Sequence, residues 1–216
     1  MDKNLGTDKY PVNGNIVARL IPMTTRPYHH GQLRATLLAE AERALREDGV
    51  ESLSLRELAR RVGVSHAAPR HHFPDRQALL DALAEAGSLR LADEVRGAVA
   101  GAGEDYREQL RAAAAAYLRF AVHDAALLDL MFASKSDGGT AGLGEGFGRL
   151  FATVGDLIDA GRRAGLLPPD DPDRLRLLLI ATVQGIAALV SSGRVPQEQT
   201  DALVAGAAAL FTVERA

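Results

Sequence analysis

The stretch from Ser54 to Phe73, SLRELARRVGVSHAAPRHHF, constrains this chain more than any other. Ser54 followed three residues later by Glu57 is the signature of a capped helix start. Leu55, Leu58, Ala59 and Val62 then fall on one face of the helix it opens. Gly63 stands where a chain leaving a helix turns left-handed, a conformation other residues resist. Ser65 is positioned to cap a second helix, Phe73 gives that helix an apolar anchor, and Pro74 ends it. Two short helices separated by a glycine turn are a helix-turn-helix, the arrangement that lays its second helix in the DNA major groove.

The flanking sequence predicts an all-α fold of about nine helices, because leucine and alanine recur at helical spacing and no run alternates. Residues 1–28 lack periodicity and carry Gly6, Pro11, Gly14, Pro22 and Pro27, which predicts a flexible arm. In residues 29–75, Leu33, Leu37, Leu38, Ala41, Ala44 and Leu45 form the stripe of a first helix that Gly49 ends. With the two motif helices this makes a unit of about 45 residues, small enough that it should lean on the helices C-terminal to it. Residues 76–216 form the second domain, with helices expected over 75–100, 105–123, 125–133, 145–164, 173–192 and 196–213. Gly87 should weaken the middle of the first of these, and the glycine-rich run 138–148 reads as a surface loop. Leu177–Val190 is apolar nearly all round yet too short to span a bilayer. Ala202, Ala205, Gly206 and Ala209 give the last helix a small-residue surface that a second subunit is suited to cover.

The net charge of −3 excludes a globally basic nucleic-acid coat but not a local basic face. Between Arg26 and Leu80 there are nine arginines against seven acidic residues, with five of the six histidines, so charge alone favours DNA only slightly. The absence of cysteine excludes disulfides and thiolate metal sites and suits a reducing cytoplasm. The pairs His29-His30 and His71-His72 are adjacent, and adjacent helical residues point about 100° apart, so no metal site is expected. There is no phosphate-binding loop, nucleophile elbow or H-E-x-x-H, so neither an enzyme nor a cofactor is predicted.

The segment LSLRELARRVGVSHAAPRHHFPDRQALLDAL, preceded by the Leu33–Asp48 helix, resembles the tetracycline-repressor (TetR) family of bacterial regulators over residues 30–85. Further on, VQGIAALVSSGRV is similar to the branch named for a Trp-His-Gly signature, with Gln184-Gly185 at its His-Gly. The resemblance implies a cytoplasmic homodimer, paired through its last two helices, whose C-terminal domain binds a small effector and also dimerises. It implies a repressor that holds a palindromic DNA operator and is released by that effector, which the residue types suggest is apolar.

Carried over position by position, Ser54 and Arg76 are expected on phosphate. Ser65, His66, Ala67, Ala68, Arg70 and His71 belong to the recognition helix 65–72, with Arg70 where the family usually has tyrosine. Arg34, with Arg26 in the arm, is placed to reach the backbone or minor groove. In the ligand domain the candidates are Tyr117, Phe120, His123, Met131, Phe132, Phe151 and Gln184, with His123 and Gln184 as polar handles. Without the resemblance, the competing reading is a helical adaptor whose N-terminal unit contacts protein and never DNA.

Overall fold

The computed structural model describes residues 30–133, 144–168 and 170–212, and among them it contains eight α-helices and no strand. These are α1 (His30–Asp48), α2 (Leu55–Val62), α3 (Arg76–Gly101), α4 (Tyr106–His123), α5 (Ala125–Ala133), α6 (Glu145–Arg163), α7 (Pro172–Ser191) and α8 (Thr200–Phe211). Short aspartates set several starts. Asp75, Asp105 and Asp171 each accept a backbone N–H of the first turn of α3, α4 and α7, which satisfies donors that no helix can satisfy internally. The expected ninth helix, over 65–72, is instead a turn running into a 3-10 segment at Ala68–His71. The last helix also starts later than expected, because Pro196 opens a 3-10 turn over Gln197–Gln199 before α8.

The long helix α3 joins the two halves. Its first turns bury Leu79, Leu80 and Leu83 with Leu37, Leu45, Leu58 and Phe73 of the N-terminal unit. Its later turns bury Leu91 and Val95 in the same apolar cluster, which continues through α4, α5, α6 and α7 to Ala207. The small N-terminal unit therefore has no core of its own that stops at its boundary. A second cluster, built from Tyr106, Leu110, Val154, Ile158, Leu167, Leu175, Leu179 and Ala208, closes the far end.

Close packing around α3 depends on missing side chains. Gly87, expected to weaken the helix, is buried, and a Cβ there would stand 3.0 Å from Leu127 and from the Met131 sulfur. The second half of the glycine-rich run is not a loop. It is the start of α6, where Gly146 is buried against Ser88 and the backbone of Leu89 and donates its N–H to Glu85 at 3.0 Å. The first half lies outside the described residues.

The helix α7 also departs from its reading. At 20 residues it is long and apolar enough to cross a membrane by length and composition, whereas the apolar stretch visible in the sequence is shorter. Here it packs against α4, α6 and α8, with Leu175, Leu179, Val183, Ile186, Ala187 and Val190 buried.

The glycine geometry gives a paired test. Gly146→Ala forces a methyl into the α3 backbone and should destabilise the fold by about 1–3 kcal/mol. Gly148→Ala, two residues on in open space, should be neutral or stabilising by up to about 1 kcal/mol through helix propensity. Thermal or denaturant unfolding of the two variants checks both.

Candidate DNA-reading edge and ligand cavity

The first motif helix forms as its sequence requires. Ser54 Oγ accepts the Glu57 N–H at 3.2 Å, and Gly63 ends α2 at φ 76° with its N–H on Arg60. Only half of the capping box closes, because the Glu57 carboxylate turns to Arg60 and Arg61 instead. Those two arginines hold the Glu57 carboxyl down to about 2.

The second motif element is tighter than an α-helix for a physical reason. Pro69 has no N–H to continue an i−4 ladder. The Ser65 carbonyl instead accepts from Ala68 at 3.0 Å, and the Ala67 carbonyl accepts from Arg70 at 3.2 Å. The cap position falls on Ala67, which has no side-chain acceptor, so the expected capping role of Ser65 is not realised. The anchor is realised, since Phe73 is 1% exposed. Ser65, His66, Ala67, Arg70 and His71 line an exposed edge. Ala68 does not join them, because it is half-buried against the core, above buried Pro69.

Ion pairing then sorts the arginines. Arg43 pairs with Glu40 and Glu47, Arg60 with Glu57, and Arg61 with Glu57 and Asp48. Arg46 pairs with Glu42 and Asp124. Four arginines of this unit, Arg34, Arg56, Arg70 and Arg76, are exposed and have no carboxylate partner among the described residues. Arg34 lies 5.3 Å above the Phe73 ring, at the end of the recognition segment. Arg76 donates to the carbonyls of Leu53 at 2.9 Å and Val50 at 2.7 Å, so it braces the loop that enters α2 while remaining cationic. Arg56, beside the Ser54 cap, is not among the sequence candidates. Only the pairing of its neighbours singles it out. Arg26 lies outside the described residues.

The ligand candidates divide. Tyr117, Phe132, Phe151 and Gln184 line one cavity of about 630 Å³, open mouth included, between α4, α6 and α7. Phe147, Leu150, Val154, Leu157, Leu110 and Val183 also line it, and sequence reading misses them because a cavity wall and a packed core share the same apolar spacing. Phe120, His123 and Met131 do not reach it. Phe120 is buried beneath the Arg90 guanidinium, 4.9 Å from its ring centre. Met131 is fully buried against Gly87. His123 is exposed, with Nδ1 2.9 Å from the Arg119 carbonyl oxygen at the end of α4.

Comparison with known proteins agrees with this geometry. Residues 37–83 match the family model for bacterial regulatory proteins of the tetR family, and residues 110–211 match the tetracyclin repressor-like C-terminal domain; together they span more than half of the chain. The chain belongs to the TetR family.

Among its relatives is the class A tetracycline repressor protein from transposon 1721 of Escherichia coli. That protein is 43% identical over 75 residues, which is 35% of this chain and 33% of the repressor, so the match spans about a third of it. A solved protein of unknown function from Rhodococcus sp. RHA1 is 43% identical with a TM-score of 0.75, covering 86% of this chain and 96% of that one. A TetR family transcription regulator from Marinobacter aquaeolei VT8 shares the fold at 18% identity and a TM-score of 0.66, covering 84% and 96%. This TetR-family chain is accordingly a transcriptional regulator.

The buried phenols make a pH test of this TetR-family bundle. Burial pushes Tyr117 up to about 12, an effect Gln184 partly offsets, and burial alone pushes Tyr106 up to about 12. The unfolded chain releases these protons near the ordinary value of 10.0 while the folded chain keeps them. Stability present below pH ~10 is therefore lost as pH rises towards 12, and replacing both tyrosines by phenylalanine should flatten that alkaline decline. Denaturant midpoints measured across this range check it.

Proposed function

We propose that this regulator is a homodimeric repressor that holds a palindromic operator and is released when a small apolar molecule enters the cavity between α4, α6 and α7. The reading rests most on one observation: the exposed 65–71 edge carries Arg70, which no carboxylate pairs among the described residues, and Arg34 lies over the Phe73 ring at its end, so duplex phosphate would meet uncompensated cations there. Arg70 on that edge has the planar fork that reads guanine bidentately, and Ser54 has the helix N-terminus that suits phosphate.

Dimerisation through the last two helices is favoured by what the single chain leaves uncovered. Leu177, Leu178, Ala181, Ala188 and Leu189 form an exposed stripe on α7, and Ala202, Ala205, Ala209 and Leu210 form another on α8. Leu177 is 67% and Leu210 86% exposed, which a lone soluble helix pair would not favour. A two-fold partner covering both stripes would set two recognition segments side by side, and half-site spacing would follow their separation. Leu177→Glu combined with Leu210→Glu should give a folded monomer with little operator affinity, as sedimentation and DNA titration would report.

Salt separates this function from a protein adaptor. Binding to the chain's own operator fragment should weaken steeply between low and moderate salt, and Arg56→Ala should lower the log–log slope by about 0.9, the value for one neutralised phosphate. Arg70→Ala should cost about 1–3 kcal/mol and relax one operator position, whereas an equal loss on every sequence would reassign it to phosphate. Binding that ignores salt would favour the adaptor.

A further inference from the structure

The cavity wall is apolar except at one end. Tyr117 is 8% exposed, yet its hydroxyl is buried with no hydrogen-bond partner among the described residues. The Gln184 side chain acts on this hydroxyl, drawing its pKa down against burial, without meeting the geometry of a hydrogen bond. No charged side chain lines the cavity among the described residues. The Arg176 guanidinium stacks 5.9 Å from the Phe151 ring centre and is already paired with Asp173 at 2.7 Å.

The two polar groups also mark direction. Tyr117, Gln184 and Phe132 line both this cavity and a second, neighbouring cleft that holds Asp129 and Ser191. They therefore stand at the wall between the two. Away from these two groups the lining is aliphatic, with Leu110, Val154, Leu157 and Leu179 among it. Along α4, the lining residues Leu110 and Tyr117 are two turns apart, about 10 Å at the helical rise, so the wall extends along the helix.

An unpaired buried hydroxyl is a standing penalty that a ligand acceptor would relieve. A carboxylate or ammonium carried inside would meet no opposite charge among the described residues, and desolvating it would cost more than the apolar contacts return. We propose that the cavity selects uncharged, elongated apolar molecules carrying one hydrogen-bond acceptor, a ketone or comparable oxygen, seated at Tyr117 and Gln184 with the chain pointing to Leu110. This rests on the reading of the cavity as the effector site and adds to it the class of molecule and its orientation.

The test uses the full chain without DNA and four probes of one length: hexyl methyl ketone, octane, octanoate and octylammonium. The ketone should give the largest rise in thermal stability and the two ions none. Tyr117→Phe should weaken the ketone about tenfold, the equivalent of one hydrogen bond, and leave the octane response unchanged. Without ligand, the same variant should be at least as stable as the parent, because it deletes an unsatisfied group. If that variant does not fold, Gln184→Leu should still weaken the ketone several-fold relative to octane.

Preference for octylammonium would place the polar end in the cleft at Asp129 and overturn the inference, as would preference for octanoate or a ketone response indifferent to both substitutions. No response to any probe would overturn the effector-site reading and this inference with it. Binding in the predicted order without any release of operator DNA would contradict the repressor function alone.

Discussion

Everything in this bundle depends on how closely neighbours approach the middle of α3. Ala84, Gly87, Ser88 and Ala92 are buried there, and their small size brings α5 and the start of α6 against the helix. One helix thereby runs a single core through both halves, since its leucines at 79, 80 and 83 complete the N-terminal unit and Leu91 and Val95 complete the larger domain. An N-terminal unit this small would be marginal alone. Sharing α3 is what stabilises it.

A charged cluster fastens the same junction from outside. Asp124, the C-terminal cap of α4, accepts from Arg46 of α1 at 2.6 Å and from Arg90 of α3 at 2.7 Å, while Glu42 of α1 bonds both arginines. Such partly exposed pairs add little stability singly, but as a network they fix where α1 sits relative to α4. The helix α4 also forms one wall of the cavity. A molecule that displaced α4 from α7 would therefore pull on the ion cluster that holds the DNA-reading unit.

Much of this fold is legible in the sequence, for identifiable reasons. The Ser54 cap, the Gly63 turn and the Phe73 anchor are local features with a single physical solution, and each forms as the residues predict. The recognition segment reads as a regular helix if Pro69 is taken to sit in a tolerant first turn, whereas its missing N–H tightens the whole element. Single-chain propensity counts Gly87 and Gly146 as weaknesses, and only their tertiary neighbours show that a side chain would not fit. Periodicity does not separate Phe151 and Tyr117, which face a cavity, from Phe120 and Met131, which face packed core. Arg56 escapes a sequence reading since its availability depends on which other arginines find carboxylates.

The central claim is that two copies present their 65–71 edges to DNA together. The chain has no cysteine, so His66→Cys carries a single spin label per subunit, and pulsed dipolar spectroscopy then reads the distance between recognition segments directly. On operator DNA the account predicts one narrow distance near a whole number of helical turns, roughly 34–36 Å for one turn, which shifts or broadens when an effector displaces the DNA. Absence of any dipolar coupling, or a distance that neither DNA nor ligand changes, would contradict it.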